Sequence, residues 1–189
     1  MELIDYLRML GRRWRWVVSF TLLGLTLGAL WAALTPRVYE ASALLFVANS
    51  GNADSTGRSR NDLDASRFTL ERMESYAALV DSPQVTRAVN DELRLGSRPE
   101  DIAGVLSASV VGDTVVLSVT AQGDEPAVTA SIANVAAARL GAVIQLVEAP
   151  GTGAASPVKV TVTQPATAPG SPISPNTGLA LALGLVAGA

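Results

Sequence analysis

The chain predicts an α+β fold: a ferredoxin-like (split β-α-β) extracytoplasmic domain between two transmembrane helices, the second of them truncated. Three observations carry this expectation. An uncharged run extends from Trp16 to Leu34, and the last residues, Gly178 to Ala189, read GLALALGLVAGA. Between these stretches the apolar residues switch between a spacing of two and helical spacing, in the order β-α-α-β-β-α-β. Composition agrees, because 49% of the 189 residues are hydrophobic, 16% charged and only 5% aromatic. Small aliphatic residues therefore supply an apolar content too high for one ordinary soluble domain.

As a helix rising about 1.5 Å per residue, Trp16 to Leu34 reaches ~28 Å, close to the ~30 Å of a bilayer core. Arg12, Arg13 and Arg15 stand before it, Trp14 and Trp16 mark one end, and Trp31 lies near the other, where amphipathic rings favour the headgroup level. A cleaved signal peptide has a shorter apolar run and an A-x-A-like site, whereas here Trp31 follows Ala29 and precedes Ala33. The run therefore reads as a retained anchor, residues 16–35. Residues 1–15 form a cytoplasmic leader in which Leu3, Leu7, Leu10 and Trp14 share one face of an amphipathic helix on the inner membrane surface. Arginines at 8, 12, 13 and 15 place the N terminus in the cytoplasm. Residues 178–189 reach only ~18 Å, so they are expected to begin a second span that continues past Ala189. Ala127 to Val147 is a third apolar run with Arg139 as its one charge. Mid-membrane arginine costs about 2.5–3.5 kcal/mol, and Thr129, Ser131, Asn134 and Gln145 add to that, so this run is expected to be a buried helix of the outer domain.

That domain, residues 36–164, is acidic. Positions 36–175 hold 10 basic and 15 acidic residues, against a net +2 ahead of the span. Arg37 to Asn49 reads as a first strand covered on both faces, followed by a polar loop to Asn61. Leu63, Leu70, Met73, Ala77 and Val80 recur at helical spacing. Ser82 as N-cap and Pro83 at the first position open a second helix bearing Val85, Val89 and Leu93, closed by Gly96. Ser97 and Glu100 have capping-box spacing. Leu106, Ala108, Val110 and then Val115, Leu117, Val119, Ala121 alternate around Gly112 and Asp113, which predicts a hairpin with a two-residue turn. Asp124 and Pro126 open the long apolar helix, Pro150 and Gly151 end it, and Val158, Val160 and Val162 alternate as a last strand. Pro165, Pro169, Pro172 and Pro175 then make residues 165–177 a stiff, extended linker rather than an SH3-type ligand.

Chemistry is sparse. With no Cys and no His, cysteine nucleophiles, Cys- or His-based zinc sites and Ser-His-Asp triads are excluded. A net charge of −3 gives no reason to expect nucleic acid, and no cofactor is expected. Gly151-x-Gly153 has Ser156 where a third glycine belongs and follows a helix, no P-loop occurs, and Lys159 is the sole lysine. The carboxylate pairs Asp91/Glu92, Glu100/Asp101 and Asp124/Glu125 sit near helix ends, where solvated charge is ordinary. Arg58, Arg60, Arg67 and Arg72 would suit an acidic-glycan contact, but Asp54, Asp62, Asp64, Glu71 and Glu74 cancel the local field, so a solvated face is the stronger reading. The aromatics available to stack a sugar are Tyr39, Phe46, Phe68 and Tyr76, and two of these are expected in the core.

In order along the chain, the leader MELIDYLRMLGRRWRW, the strand TPRVYEASALLFV, the junction YAALVDSPQV, the hairpin and helix DTVVLSVTAQGDEPAVTASIANVAAARL, and the segment QPATAPGSPISPN resemble the Wzz-type chain-length determinants, or polysaccharide co-polymerases, including membrane adaptors of bacterial tyrosine kinases. Large Gram-negative members insert a long helix before the final strand. Here only Pro150 to Pro157 stands there, as in the compact adaptors. The resemblance implies a non-enzymatic, multi-pass protein of the cytoplasmic membrane that forms homo-oligomeric rings and sets the length, and supports the export, of capsular or extracellular polysaccharide. Its implied partners are membrane lipid, a polysaccharide polymerase and a cytoplasmic tyrosine kinase. Two other readings share the anchors: the front end of a tyrosine autokinase, and a two-span receptor ectodomain, which should show a pocket with convergent polar groups.

Overall fold

Alternation of small and branched apolar residues organises the sheet at the centre of the larger of two units. In a computed structural model, which describes residues 3–49, 72–149, 156 and 158–188, this unit runs from Tyr39 to Ser171 and the smaller one comprises Met1–Val38 and Pro172–Ala189. The larger unit contains β1 (Tyr39–Asn49), helical residues 72–77 (α2), α3 (Pro83–Leu93), α4 (Pro99–Val105), β2 (Leu106–Val110), β3 (Val116–Gly123), α5 (Pro126–Glu148) and β4 (Val158–Gln164). The four strands form one antiparallel sheet in the order β2-β3-β1-β4. Both long connections therefore cross an intervening strand: β1 reaches β2 over β3, and β3 reaches β4 over β1.

Ala41, Ala43, Leu45 and Val47 of β1 and Leu117, Val119 and Ala121 of β3 are buried on one side of the sheet, where α5 packs on β1, β3 and β4. Ser42 and Phe46 of β1 are exposed, so the expectation that this strand is covered on both faces is corrected. Its uncharged run reflects Ser, Leu and Phe on an open face, not a second layer. The strand also begins at Tyr39 instead of Arg37, because Val38 bridges Ser174.

The apolar run predicted to be a buried helix is α5. It is long and apolar enough to cross a membrane, but half of it is buried within the unit. Thr129, Ala130, Ile132, Ala133, Ala136, Ala137, Leu140, Gly141 and Ile144 are its buried residues, and Arg139 meets Glu92 of α3 at 2.7 Å. Small residues let it approach closely: a Cβ on Gly141 would lie 3.2 Å from Val160 Cγ1. Met73, Tyr76, Ala77 and Val80 bring α2 and the turn after it into the same core. Leu63, Leu70 and the polar loop 49–61 fall, apart from Asn49, outside the described residues, as do 150–155 and Pro157.

Three local expectations are corrected. As expected, Ser82 is the N-cap of α3 and Pro83 stands in its first turn, although no side-chain hydrogen bond from Ser82 caps it, but the left-handed residue that ends the helix is Arg94, at φ 52°, whose N–H bonds Asn90 O. Gly96 follows, also with positive φ. The capping box at Ser97 and Glu100 is absent, because Asn90 Oδ1 takes the Ser97 N–H and the N-cap is Arg98. The hairpin turn is wider than two residues. Val111 N–H bonds Val116 O, which leaves Gly112, Asp113, Thr114 and Val115 between the paired positions. The Thr114 hydroxyl donates to Val111 O and accepts from Val116 N–H, closing backbone groups that a tighter turn would have paired.

In the smaller unit, α1 (Leu3–Leu34) is one continuous helix through both the leader and the apolar run. Its stretch Trp14–Leu34 is long and apolar enough to cross a membrane, and α6 (Thr177–Gly188) is a shorter apolar helix. Hydroxyls along α1 and at its end bond the helix backbone, Ser19 to Arg15 O, Thr26 to Leu23 O and Thr35 to Trp31 O, which removes their polar cost in an apolar setting. The two helices pack together. A Cβ on Gly28 would lie 2.7 Å from Ala180 O, and one on Gly184 would lie 2.5 Å from Gly24 O. Val38 N–H donates to Ser174 O, and Ile173 N–H to Val38 O, tying the ends of the pair.

Candidate functional site

The anchor residues singled out from sequence all belong to α1: Arg12, Arg13, Trp14, Arg15, Trp16 and Trp31. The side chains of Arg12 and Arg13 are outside the described residues. Trp14, Trp16 and Trp31 are exposed, and the Trp16 ring stacks on Phe20 with centroids 6.3 Å apart. Exposed indoles are costly in water but suit a membrane interface, where the ring is sheltered and its N–H stays wet.

The four prolines divide between the two units. Pro165 and Pro169 belong to the larger one. Beside Pro165, Asn134 of α5 grips Ala166: its Oδ1 accepts the Ala166 N–H at 2.8 Å and its Nδ2 donates to Ala166 O at 2.9 Å. Ala166 is buried, so the chain leaving β4 is held before it runs on. Pro172 and Pro175 belong to the smaller unit, where Asn176 Oδ1 accepts Leu179 N–H and caps α6. In the sequence alone Asn134 is only a polar cost on an apolar helix. An amide that carries both donor and acceptor can be matched by the C=O and N–H of one residue, and that was its available signal.

One member of each of two carboxylate pairs is ion-paired. Glu92 meets Arg139, and Asp101 meets Arg98 through two hydrogen bonds of 3.1 Å. The hydrogen bond from Arg98 holds the Asp101 carboxyl below its ordinary range, and the same contact raises the Arg98 guanidinium. Among the described residues no group of three acidic side chains is placed to hold a metal ion. Of the arginine cluster only Arg72 is described, and it bonds Glu148 at the end of α5. Of the aromatics, Tyr76 is buried, Phe46 lies on the open sheet face, Tyr39 is half-buried, and Phe68 is outside the described residues.

Among the described residues, Tyr76 is the group shifted furthest. Its hydroxyl donates to Glu148 Oε1 at 2.9 Å while Arg72 Nη1 donates to Glu148 Oε2 at 3.0 Å. Burial, then the hydrogen bond and charge of Glu148, push the phenol up from 10.0 to about 12, against the pull of Arg72. The neutral phenol is the form the fold favours. Its contribution is therefore complete below about pH 10 and is lost as pH rises through about 12. Full-length protein in detergent micelles, unfolded by urea and followed by far-UV circular dichroism, should lose on the order of 2 kcal/mol across that window, solvent near the hydroxyl screening part of the effect. Tyr76→Phe should flatten that slope, and an equal slope in the variant would remove the phenol as its cause.

Each unit carries a groove among its described residues. In the larger unit an open groove lies between Glu74, Ala77, Ala78 and Asp81 and the edge strand β2. In the smaller unit Ala29, Ala32, Ala33, Arg37, Pro172, Pro175, Thr177 and Leu181 line another, of about 410 Å³. The family model Wzz, chain length determinant protein, matches residues 1–93. No curated protein matches the chain.

Proposed function

From the match of its first 93 residues to the Wzz chain length determinant family, we propose that the protein is a membrane-anchored, non-catalytic regulator of polysaccharide chain length, acting in the cytoplasmic membrane as a homo-oligomer. The family itself regulates chain length without catalysis, and its members are typically oligomeric membrane proteins working with polysaccharide machinery. The observation that carries the reading is that this match spans α1, β1, α2 and α3, so both the anchor and the start of the outer domain belong to the matched part. The sheet order β2-β3-β1-β4, with both long connections crossing a strand, supports the split β-α-β reading of that domain.

In this proposal the Arg12, Arg13 and Arg15 end of α1 faces the cytoplasm, Trp14, Trp16 and Trp31 mark the two interfaces, and the larger unit is extracytoplasmic. Pro165, Pro169, Pro172 and Pro175 stiffen the path from that unit to α6. The finer roles are capsular or extracellular polysaccharide as the polymer, a polymerase in the membrane, and a tyrosine kinase as cytoplasmic partner, whether separate or fused.

Deleting the gene and sizing the surface polysaccharide is the direct test. Altered length distribution or yield is expected, and an unchanged profile would discard the function. In the same cells, a cysteine replacing Ser107 should react with an impermeant maleimide while one replacing Asp5 should not; the reverse pattern inverts the orientation. Crosslinking of intact membranes should give oligomers, and monomer alone would remove that part of the proposal.

A further inference from the structure

The groove beside Arg37 has a polarity gradient along its length. Ala29, Ala32 and Ala33 of α1 and Leu181 of α6 are its apolar part, whereas Arg37 and Thr177 lie with Pro172 and Pro175 in its other part. Arg37 is exposed and enters no ion pair among the described residues. Thr177 opens α6, so the positive end of that helix faces the same part of the groove. Asn176 Oδ1 occupies the Leu179 N–H and Asn176 O the Ala180 N–H, which leaves the first N–H groups of α6 to an outside acceptor. A guanidinium and a helix N terminus together favour an anion, and the alanine floor beneath them favours a hydrocarbon chain. Arg37 stands three residues beyond the end of α1, the level at which lipid phosphates lie if α1 spans the bilayer.

We propose that this groove holds one anionic phospholipid, its phosphate on Arg37 and the α6 N terminus and one acyl chain along Ala29, Ala32 and Ala33. The assignment rests on the membrane reading above and adds to it a specific lipid site. Charge decides between occupants. A zwitterionic headgroup brings its own cation next to Arg37, and a free phosphate would leave the alanine floor uncovered.

The full chain is reconstituted into nanodiscs of phosphatidylglycerol and phosphatidylcholine in equal proportion, and the lipid retained after detergent extraction is measured by native mass spectrometry. Wild type is expected to retain phosphatidylglycerol over phosphatidylcholine by about fivefold, the factor one basic side chain supplies near a membrane surface. Arg37→Gln should lose that preference. Ala33→Trp, which fills the groove, should lose the retained lipid, and Arg98→Gln in the larger unit should change nothing. Equal retention of both lipids by wild type, or an Arg37→Gln variant that behaves as wild type, overturns the site. Complete exchange for an added isoprenoid phosphate assigns the groove to that lipid and overturns the phospholipid. Alkaline carbonate extraction separates the two levels: release of the protein from membranes defeats the membrane reading, whereas retention without lipid preference defeats only this inference.

Discussion

Replacing Leu140 by Ala is expected to destabilise the larger unit by about 2–5 kcal/mol, toward the upper part of that range. Leu140 is fully buried on α5, on a helix whose other buried positions are mostly small: Ala130, Ala133, Ala136, Ala137 and Gly141. Such neighbours bring the helix backbone close to the sheet and have no long side chains to swing into a cavity, so the void left by the lost carbons stays open. Leu146 is the internal comparison. It lies on the same helix but is 69% exposed, and Leu146→Ala should stay within about 0.5 kcal/mol of wild type. Urea midpoints of the full-length variants in detergent, read by circular dichroism, decide it. The contrast also tests the assignment of α5 itself. A membrane-spanning α5 would place both leucines in lipid or detergent, and the two substitutions would then cost alike.

Much of this architecture is legible in the sequence because it depends on periodicity. The alternation of Leu117, Val119 and Ala121 marks β3, the uncharged run ending at Asn49 marks β1 though not its open face, and the helical spacing of Val85 and Val89 marks α3; the structure buries Leu117, Val119, Ala121, Val85 and Val89. Arg139 argued against a membrane span and is paired with Glu92. What sequence reading missed depends on competition between nearby groups of similar type. Arg94, Gly96 and Asn90 are all able to end or cap a helix, and only the packed chain shows that Arg94 takes the left-handed position while Asn90 takes the Ser97 N–H. The hairpin turn escapes for the same reason: Thr114, unremarkable in a polar stretch, closes a wider loop through its hydroxyl. The Tyr76–Glu148–Arg72 cluster joins residues more than 70 positions apart, a separation at which spacing carries no information. The candidate site was the least legible part. Arg37 enters the sequence argument only as the first residue of an expected strand, and nothing in its spacing ties it to Thr177 at the start of α6.

The spacing of glycines in α1 is equally silent in a reading of periodicity, and it carries the second large expected effect. Gly24 and Gly28 are one helical turn apart, as are Ala180 and Gly184, the arrangement by which helices approach closely where lipid removes the hydrophobic drive for association. A Cβ at 184 would stand 2.5 Å from Gly24 O and 3.1 Å from Gly24 C, and both obstacles are backbone that cannot rotate away. Gly184→Leu must therefore push α1 and α6 apart, at a cost at or above the roughly 1–3 kcal/mol of an overpacked core. Gly178→Leu adds the same side chain to the same helix, where a Cβ meets only Asn176 Oδ1 at 3.4 Å, and should be tolerated. The native chain has no cysteine, so a pair replacing Thr35 and Asn176, which line one groove along the two helices, reports their proximity by oxidation in membranes. That pair should close within one chain in the wild-type background and with Gly178→Leu. With Gly184→Leu the yield should fall about tenfold or more, the change expected from a loss of at least ~1.4 kcal/mol. Equal yields in the two variants would show that the glycines do not set the α1–α6 approach. A yield that moves instead into crosslinked dimers would mean that Gly24 and Gly28 join separate chains, since one glycine stripe cannot accommodate two partners at this distance.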